Sequence, residues 1–174
     1  LESTAEIFST VINTLGYHMY STRDFASRIK GGHSNSKICI SEERSNVIDY
    51  KTDILIAFDQ ATLDSYIPEL DENSIIIADA KIKPEISEEI KGLVAVFPIT
   101  DLAKEIANPI IKNIITLGIC SALLDIDSKI FYDMIEAKFS SKGEEIVNTN
   151  IQAFDKGREI MNDFMAENNI NDKY

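Results

Sequence analysis

The sequence predicts an α/β fold, a three-layer domain with a mainly parallel central sheet and a helical C-terminal part. Three observations carry this reading. The runs Asp53–Phe58, Ser74–Ala78 and Leu93–Pro98 are, after the opening Asp53 and Ser74, continuously apolar rather than alternating, the composition of strands buried on both faces, as in parallel sheets. The segments between them, around 60–66 and 85–91, read as short helices or turns. Beyond Thr100 no strand is expected, and the apolar residues recur at helical spacing. Strands interleaved with helices and followed by a helical cap form a layered α/β domain.

Taken in order, Ala5, Phe8, Val11, Ile12 and Leu15 place a helix over 3–15, with Ser3 or Thr4 as its cap and Gly16 at its end. The aromatic-rich stretch Tyr17–Thr22 suits a strand. Periodicity stops from Arg23 to Ser34 and resumes in a short strand over Lys37–Ser41, with Ile38 and Ile40 on one face. After the three buried strands come a short helix over 101–107 and a long apolar helix over 109–124, with Pro109 in its first turn. A third helix over 127–139 is capped by Asp127. The last spans 144–165, with Val147, Ile151, Phe154, Met161 and Met165 on one side, and a polar tail follows from Asn168. With no repeat, low-complexity segment or linker, residues 1–174 read as a single domain.

Composition narrows the function. The chain has 174 residues and a net charge of −12, which argues against nucleic acid and against an anionic membrane surface as partners. No apolar run approaches the ~20 residues needed to cross a bilayer, and no basic start leads into an apolar signal core. The two cysteines, Cys39 and Cys120, are too few for a four-cysteine iron–sulfur cluster and are expected as reduced thiols of a cytoplasmic protein. There is no P-loop and no Ser-His-Asp order suggesting a hydrolase. His18 and His33 lack a carboxylate pattern and make a poor metal site, so neither a metal ligand nor a catalytic residue is assigned.

One segment differs from the rest. Residues 22–37 hold four cations, Arg23, Arg28, Lys30 and Lys37, against one acid, Asp24, in an otherwise acidic chain. The pair Gly31-Gly32 allows close backbone approach, and successive N–H groups in such a turn can form an anion-binding nest. Ser34, Asn35 and Ser36 add short hydrogen-bonding groups, His33 belongs to the same loop, and arginine suits phosphate. These residues make a candidate seat for a phosphorylated ligand. The alternative is a hairpin-like turn whose charges are simply solvated. Asp59 and Gln60 follow a buried strand, where ligands gather in parallel sheets. They are a second candidate, with a helix cap by Asp59 as the competing reading. Asp79 invites the same argument more weakly. Cys120 and Cys39 read as structural.

Gly16-Tyr17-His18, Ser21-Thr22-Arg23-Asp24 and Ser27-Arg28-Ile29-Lys30-Gly31-Gly32-His33-Ser34 together resemble the gamma subunit of 2-oxoacid:ferredoxin oxidoreductases. The similarity continues through the strand ending in Asp59-Gln60, the passage from Pro98-Ile99-Thr100 to Ala107-Asn108-Pro109, Leu117-Gly118, and the region from Phe139 to Asn150. The resemblance implies a component of an enzyme that converts a 2-oxoacid and coenzyme A into acyl-CoA and carbon dioxide while reducing ferredoxin. It implies that thiamine pyrophosphate, magnesium and iron–sulfur clusters sit on partner alpha, beta and ferredoxin-like subunits, with no cofactor held by this chain alone. The sequence accords with that division, since it lacks a Gly-Asp-Gly segment followed by Asn-Asn. The implied ligand is coenzyme A, taken by Arg23, Arg28, Lys30, Gly31, Gly32, His33, Ser34 and Asn35, with Asp59 and Gln60 lining the site.

There is one departure. Family members begin with a strand and a Gly-x-Gly-Gly-Gln-Gly turn before the first helix, whereas this sequence starts at Leu1-Glu2-Ser3-Thr4. The strand and turn are expected to be missing, so no residue is assigned to that part of the site. The second functional reading is a free-standing, non-catalytic module that binds an anionic, nucleotide-like ligand.

Overall fold

The computed structural model describes residues 2–25, 34–44 and 50–170, excepting the side chains at 2, 3, 23–25 and 34. It opens with α1 (Glu2–Thr14), which Gly16 closes at φ 88°. Because α1 begins at Glu2, Ser3 and Thr4 lie inside its first turn rather than at its cap. Its stripe of Ile7, Phe8, Val11 and Ile12 is buried.

Next come β1 (His18–Phe25) and β2 (Ser34–Ser41), an antiparallel pair running from His18 opposite Ser41 to Phe25 opposite Ser34. Both strands outrun the expected 17–22 and 37–41. The added rungs, Arg23 with Ser36 and Asp24 with Asn35, are polar, so backbone pairing extends the ribbon where no apolar alternation announces it. The ribbon is a sheet of its own. Met19 and Ile38 pack against the main core from one of its faces.

The second sheet is parallel, in the order β3 (Ile54–Ala57), β4 (Ile75–Asp79) and β5 (Leu93–Phe97). Ile54 faces Ile75, and Ile75 faces Leu93. β4 is the central strand and is buried from end to end, so its sequence carries no period of two. Its alternate side chains serve two layers. Ile75 and Ile77 join the large cluster beneath α1 and the C-terminal helices, while Ile76 joins Leu55, Ala57 and Leu63 on the opposite face. That thinner layer is α2 (Gln60–Tyr66), with Tyr66, Leu70 and Ile90 at its margin. Residues 85–91 form turns, not a helix.

The thick layer comprises α3 (Ile99–Ile106), α4 (Lys112–Leu123), α5 (Ser128–Phe139) and α6 (Glu144–Glu167). The helix expected from 109 is divided. Pro109–Ile111 makes a 3₁₀ turn whose start Asn108 caps, its side chain accepting from the Ile110 N–H at 2.9 Å. Asp127 caps α5 as expected, accepting from the Lys129 N–H at 2.9 Å. α4 and α6 meet at two glycines. A Cβ on Gly118 would lie 1.9 Å from the Phe154 carbonyl oxygen, and one on Gly157 would lie 1.9 Å from that of Ile115. No other residue permits this approach. Beside the crossing, Arg158 donates to Ser121 Oγ and, at 2.8 Å, to the Ile126 carbonyl, tying α6 to the α4–α5 turn. The layers and the strand direction match the fold class read from the sequence.

Candidate functional site

Two regions hold the candidate residues: the rim at the carboxyl ends of the parallel strands, and the β1–β2 ribbon.

At the rim, β3 and β4 each lead into or end in an aspartate engaged by another element, whereas β5 ends in Phe97 and passes through Pro98 into α3. Asp59, in extended backbone after β3, caps α2 by accepting from the Thr62 N–H at 2.8 Å and the Thr62 hydroxyl at 2.9 Å. The cap reading of Asp59 thus has a geometric basis. Gln60 clamps the chain beyond β4. Its Nε2 donates to the Glu85 carbonyl at 3.0 Å, and its Oε1 accepts from the Glu85 N–H at 3.0 Å. The same Nε2 also donates to Asp64 at 2.8 Å. Asp79, the last residue of β4, is 1% exposed. It accepts from the Lys81 N–H at 3.2 Å, from the Thr100 N–H at 3.3 Å and from the Thr100 hydroxyl. It thereby joins β4 to the first turn of α3, where an anion is favoured.

Cations at this rim are partly engaged. Lys112 Nζ stands 4.2 Å from the centre of the Phe58 ring, and Lys104 pairs with Asp101 at 2.6 Å. The Lys104 hydrogen bond, followed by its charge, holds the Asp101 carboxyl below its ordinary range.

The ribbon carries the described part of the basic segment along its strands. Arg28, Lys30, Gly31, Gly32 and His33 lie outside the described residues. Arg23 and Ser34 are placed by backbone alone, in β1 opposite Ser36 and in β2 opposite Phe25. Asn35 is half-buried opposite Asp24. Lys37, one of the four cations of the segment, meets Glu69 at 2.6 Å; Glu69 also accepts from the Thr52 hydroxyl at 2.8 Å. Its charge is met within the chain, and the pair fastens the ribbon to the 3₁₀ turn Ile67–Glu69. His18 opens β1 and is exposed. Burial pushes the Cys120 thiol up to about 12, which fits a packing role.

The structure thus brings Asp59 and Gln60 together at the start of α2 and sets Arg23, Ser34, Asn35 and Lys37 on a separate ribbon. The Gln60–Glu85 clamp and the Asp79–Thr100 lock were not legible as such. Each joins residues distant in sequence, and a polar residue after a buried strand reads alike as ligand contact or as cap.

Residues 1–160 match the family model described as pyruvate ferredoxin/flavodoxin oxidoreductase. The chain belongs to that family. The 2-oxoglutarate synthase subunit KorC of Methanocaldococcus jannaschii is 30% identical, over 80% of this chain and 75% of its own length. A 2-oxoacid:ferredoxin oxidoreductase subunit alpha from Sulfolobus is 26% identical over 80% of this chain, and the chain spans only 28% of that relative. Among solved structures, the 2-oxoglutarate:ferredoxin oxidoreductase of Magnetococcus marinus, determined with 2-oxoglutarate, coenzyme A and succinyl-CoA bound, superposes with a TM-score of 0.82 at 23% identity. That match covers 94% of this chain and 29% of the other. The keto/oxoacid ferredoxin oxidoreductase gamma subunit of Geobacter sulfurreducens gives 0.73 at 20% identity, covering 92% and 90%. At these identities the likeness is one of fold.

Proposed function

We propose that this chain is the gamma-type component of a 2-oxoacid:ferredoxin oxidoreductase, and that its part in the reaction is to help hold coenzyme A. The observation that carries the reading is the family match over residues 1–160, together with near end-to-end correspondence to a gamma subunit and partial correspondence to much longer alpha chains. The oxidative decarboxylation itself belongs to partners, which supply thiamine pyrophosphate, magnesium and iron–sulfur clusters. The chain's own task is binding. The residues that take the anionic nucleotide end of coenzyme A in this reading are Arg23, Arg28, Lys30, Gly31, Gly32, His33, Ser34 and Asn35. Asp59 and Gln60 act at one remove, shaping the rim through Thr62 and Glu85. Residues 1–174 act as one domain in this scheme, in the cytoplasm. No described helix is long and apolar enough to cross a membrane.

The test is reconstitution. Partner subunits stripped of this chain should lose coenzyme A-dependent reduction of a viologen dye and regain it when the chain is returned. Returned as the Arg28→Ala/Lys30→Ala double variant, it should restore turnover with the KM for coenzyme A raised tenfold or more and the KM for the 2-oxoacid little changed. Equal effects on both substrates would remove coenzyme A from the basic segment, and full activity without the chain would remove the reading altogether.

A further inference from the structure

The β1–β2 ribbon and the parallel sheet are separate sheets, so side-chain contacts, not a shared ladder, set how the ribbon sits on the body. Side chains alternate between the two faces of a strand. On one face Ile38, with Met19, packs against the main core. On the other, one residue along, Lys37 Nζ donates to Glu69 Oε2 at 2.6 Å. The ribbon is therefore gripped from both sides at adjacent positions. Lys37 stands opposite Thr22, and beyond it come the rungs Arg23–Ser36, Asp24–Asn35 and Phe25–Ser34. These rungs fix both ends of residues 26–33, the centre of the basic segment.

Glu69 is itself well held. The same Oε2 accepts from the Thr52 hydroxyl at 2.8 Å, and the Glu69 carbonyl accepts from the Thr52 N–H at 2.9 Å. Thr52 is buried, and its carbonyl accepts in turn from the hydroxyl of the fully buried Ser74 at 2.7 Å. Thr52 and Ser74 stand just before β3 and β4. A continuous chain of bonds runs from the ribbon into the start of the parallel sheet. Exposed ion pairs spread over many geometries and fix little. Here the Lys37 and Glu69 side chains are only 21% and 29% exposed, and Glu69 is bonded on to a buried residue, so the pair holds one arrangement.

We propose that Glu69 is a positioning residue for the coenzyme A seat: through Lys37 it sets the part of the ribbon from which residues 26–33 continue, without touching the ligand. The inference rests on the function proposed above and adds a residue outside the basic segment on which that site depends. It runs against simple electrostatics. Glu69 is an acid, and it neutralises one of the four cations of the segment. On charge alone, its removal would free Lys37 and tighten coenzyme A. As a positioning group, its removal must weaken coenzyme A, because a site that is no longer pre-set has to be ordered on binding.

Partner subunits reconstituted with variants of this chain test it. Glu69→Gln keeps the size of the side chain and an acceptor for Thr52. It should raise the KM for coenzyme A fivefold or more and leave the KM for the 2-oxoacid little changed. Lys37→Met should do the same, and the exchanged pair Lys37→Glu/Glu69→Lys should bring the KM for coenzyme A back to within twofold of the parent. A KM for coenzyme A that is unchanged or lowered in Glu69→Gln overturns this inference and leaves the proposed function standing. So does an equal rise for both substrates, which marks general loosening. So does an exchanged pair as impaired as Lys37→Met, which places Lys37 on the ligand itself. A parent-like KM for coenzyme A in Arg28→Ala/Lys30→Ala overturns the seat and this inference together.

Discussion

Individual side chains hold this fold by linking elements distant in sequence. Asp79 is the clearest case. It is a buried carboxylate at the end of the central strand, and it accepts from two backbone N–H groups and one hydroxyl. Asp79→Ala leaves the Thr100 hydroxyl and N–H without that acceptor in a dry setting and should cost about 3 kcal/mol, the upper part of the range for hydrogen bonds to charged groups. Urea unfolding of the isolated chain measures it, and a loss under about 1 kcal/mol would show that water or a neighbour replaces the carboxylate. Tyr132 offers a spectroscopic check on the α5–α6 contact. Its hydroxyl donates to Asp155 Oδ1 at 2.5 Å; that bond, and then burial, raise the phenol above its ordinary 10.0. A raised folded value means the contribution of the bond is fully present below pH 10.0 and is lost as the pH climbs through the folded value. In an absorbance titration one of the six tyrosines should ionise late, and Asp155→Asn should abolish the delay. Indistinguishable titration of the parent and the variant would rule the bond out.

At the scale of elements, the α4–α6 crossing depends on two glycines, of which the sequence marks Gly118 only through the family resemblance and Gly157 not at all. Gly118 and Gly157 each sit in a helix, where glycine ordinarily costs stability against alanine, and only their contacts explain them. Gly157→Ala would force its Cβ to 1.9 Å from the Ile115 carbonyl unless the helices part. It should destabilise by about 3 kcal/mol or more, at or above the top of the usual overpacking range, as read from Tm and denaturant midpoint. A neutral or stabilising Gly157→Ala, the result expected from helix propensity alone, would contradict the crossing. The elements themselves were unevenly legible. The three parallel strands were plain from their unbroken apolar runs; burial on both faces explains this for central β4, whereas β5, an edge strand, leaves Val96 exposed against that expectation. The long arms of the ribbon were not. Thr22, Arg23, Asp24, Asn35 and Ser36 lack alternation and are held by cross-strand backbone bonds, which composition does not record. The 3₁₀ turn before α4 was hidden because Pro109 suits the start of either helix type.

For the molecule as a whole, charge and connectivity set the function. A net charge of −12 would repel coenzyme A, so a seat for it needs a local reversal of sign. In the proposed function the segment 22–37 supplies that reversal, with Lys37 diverted to Glu69 as a fastening. That segment could be read directly, because charge and glycines are properties of sequence. The roles at the rim could not. Asp59 and Gln60 were expected to line the ligand site, and their hydrogen bonds run to Thr62, Glu85 and Asp64 within the chain. The proposed division of labour with partners has its sequence basis in what the chain lacks, namely clustered cysteines and a thiamine-diphosphate pattern.

The most direct test of the central claim is native isolation of the tagged chain from its anaerobically grown source, followed by mass spectrometry, thiamine and iron analysis, and a dye-reduction assay. The account predicts stoichiometric partner subunits carrying thiamine and iron, and viologen reduction that requires both a 2-oxoacid and coenzyme A. A cofactor-free chain without a stoichiometric partner, able to bind coenzyme A or a nucleotide unaided, would contradict it and establish a free-standing binding module instead.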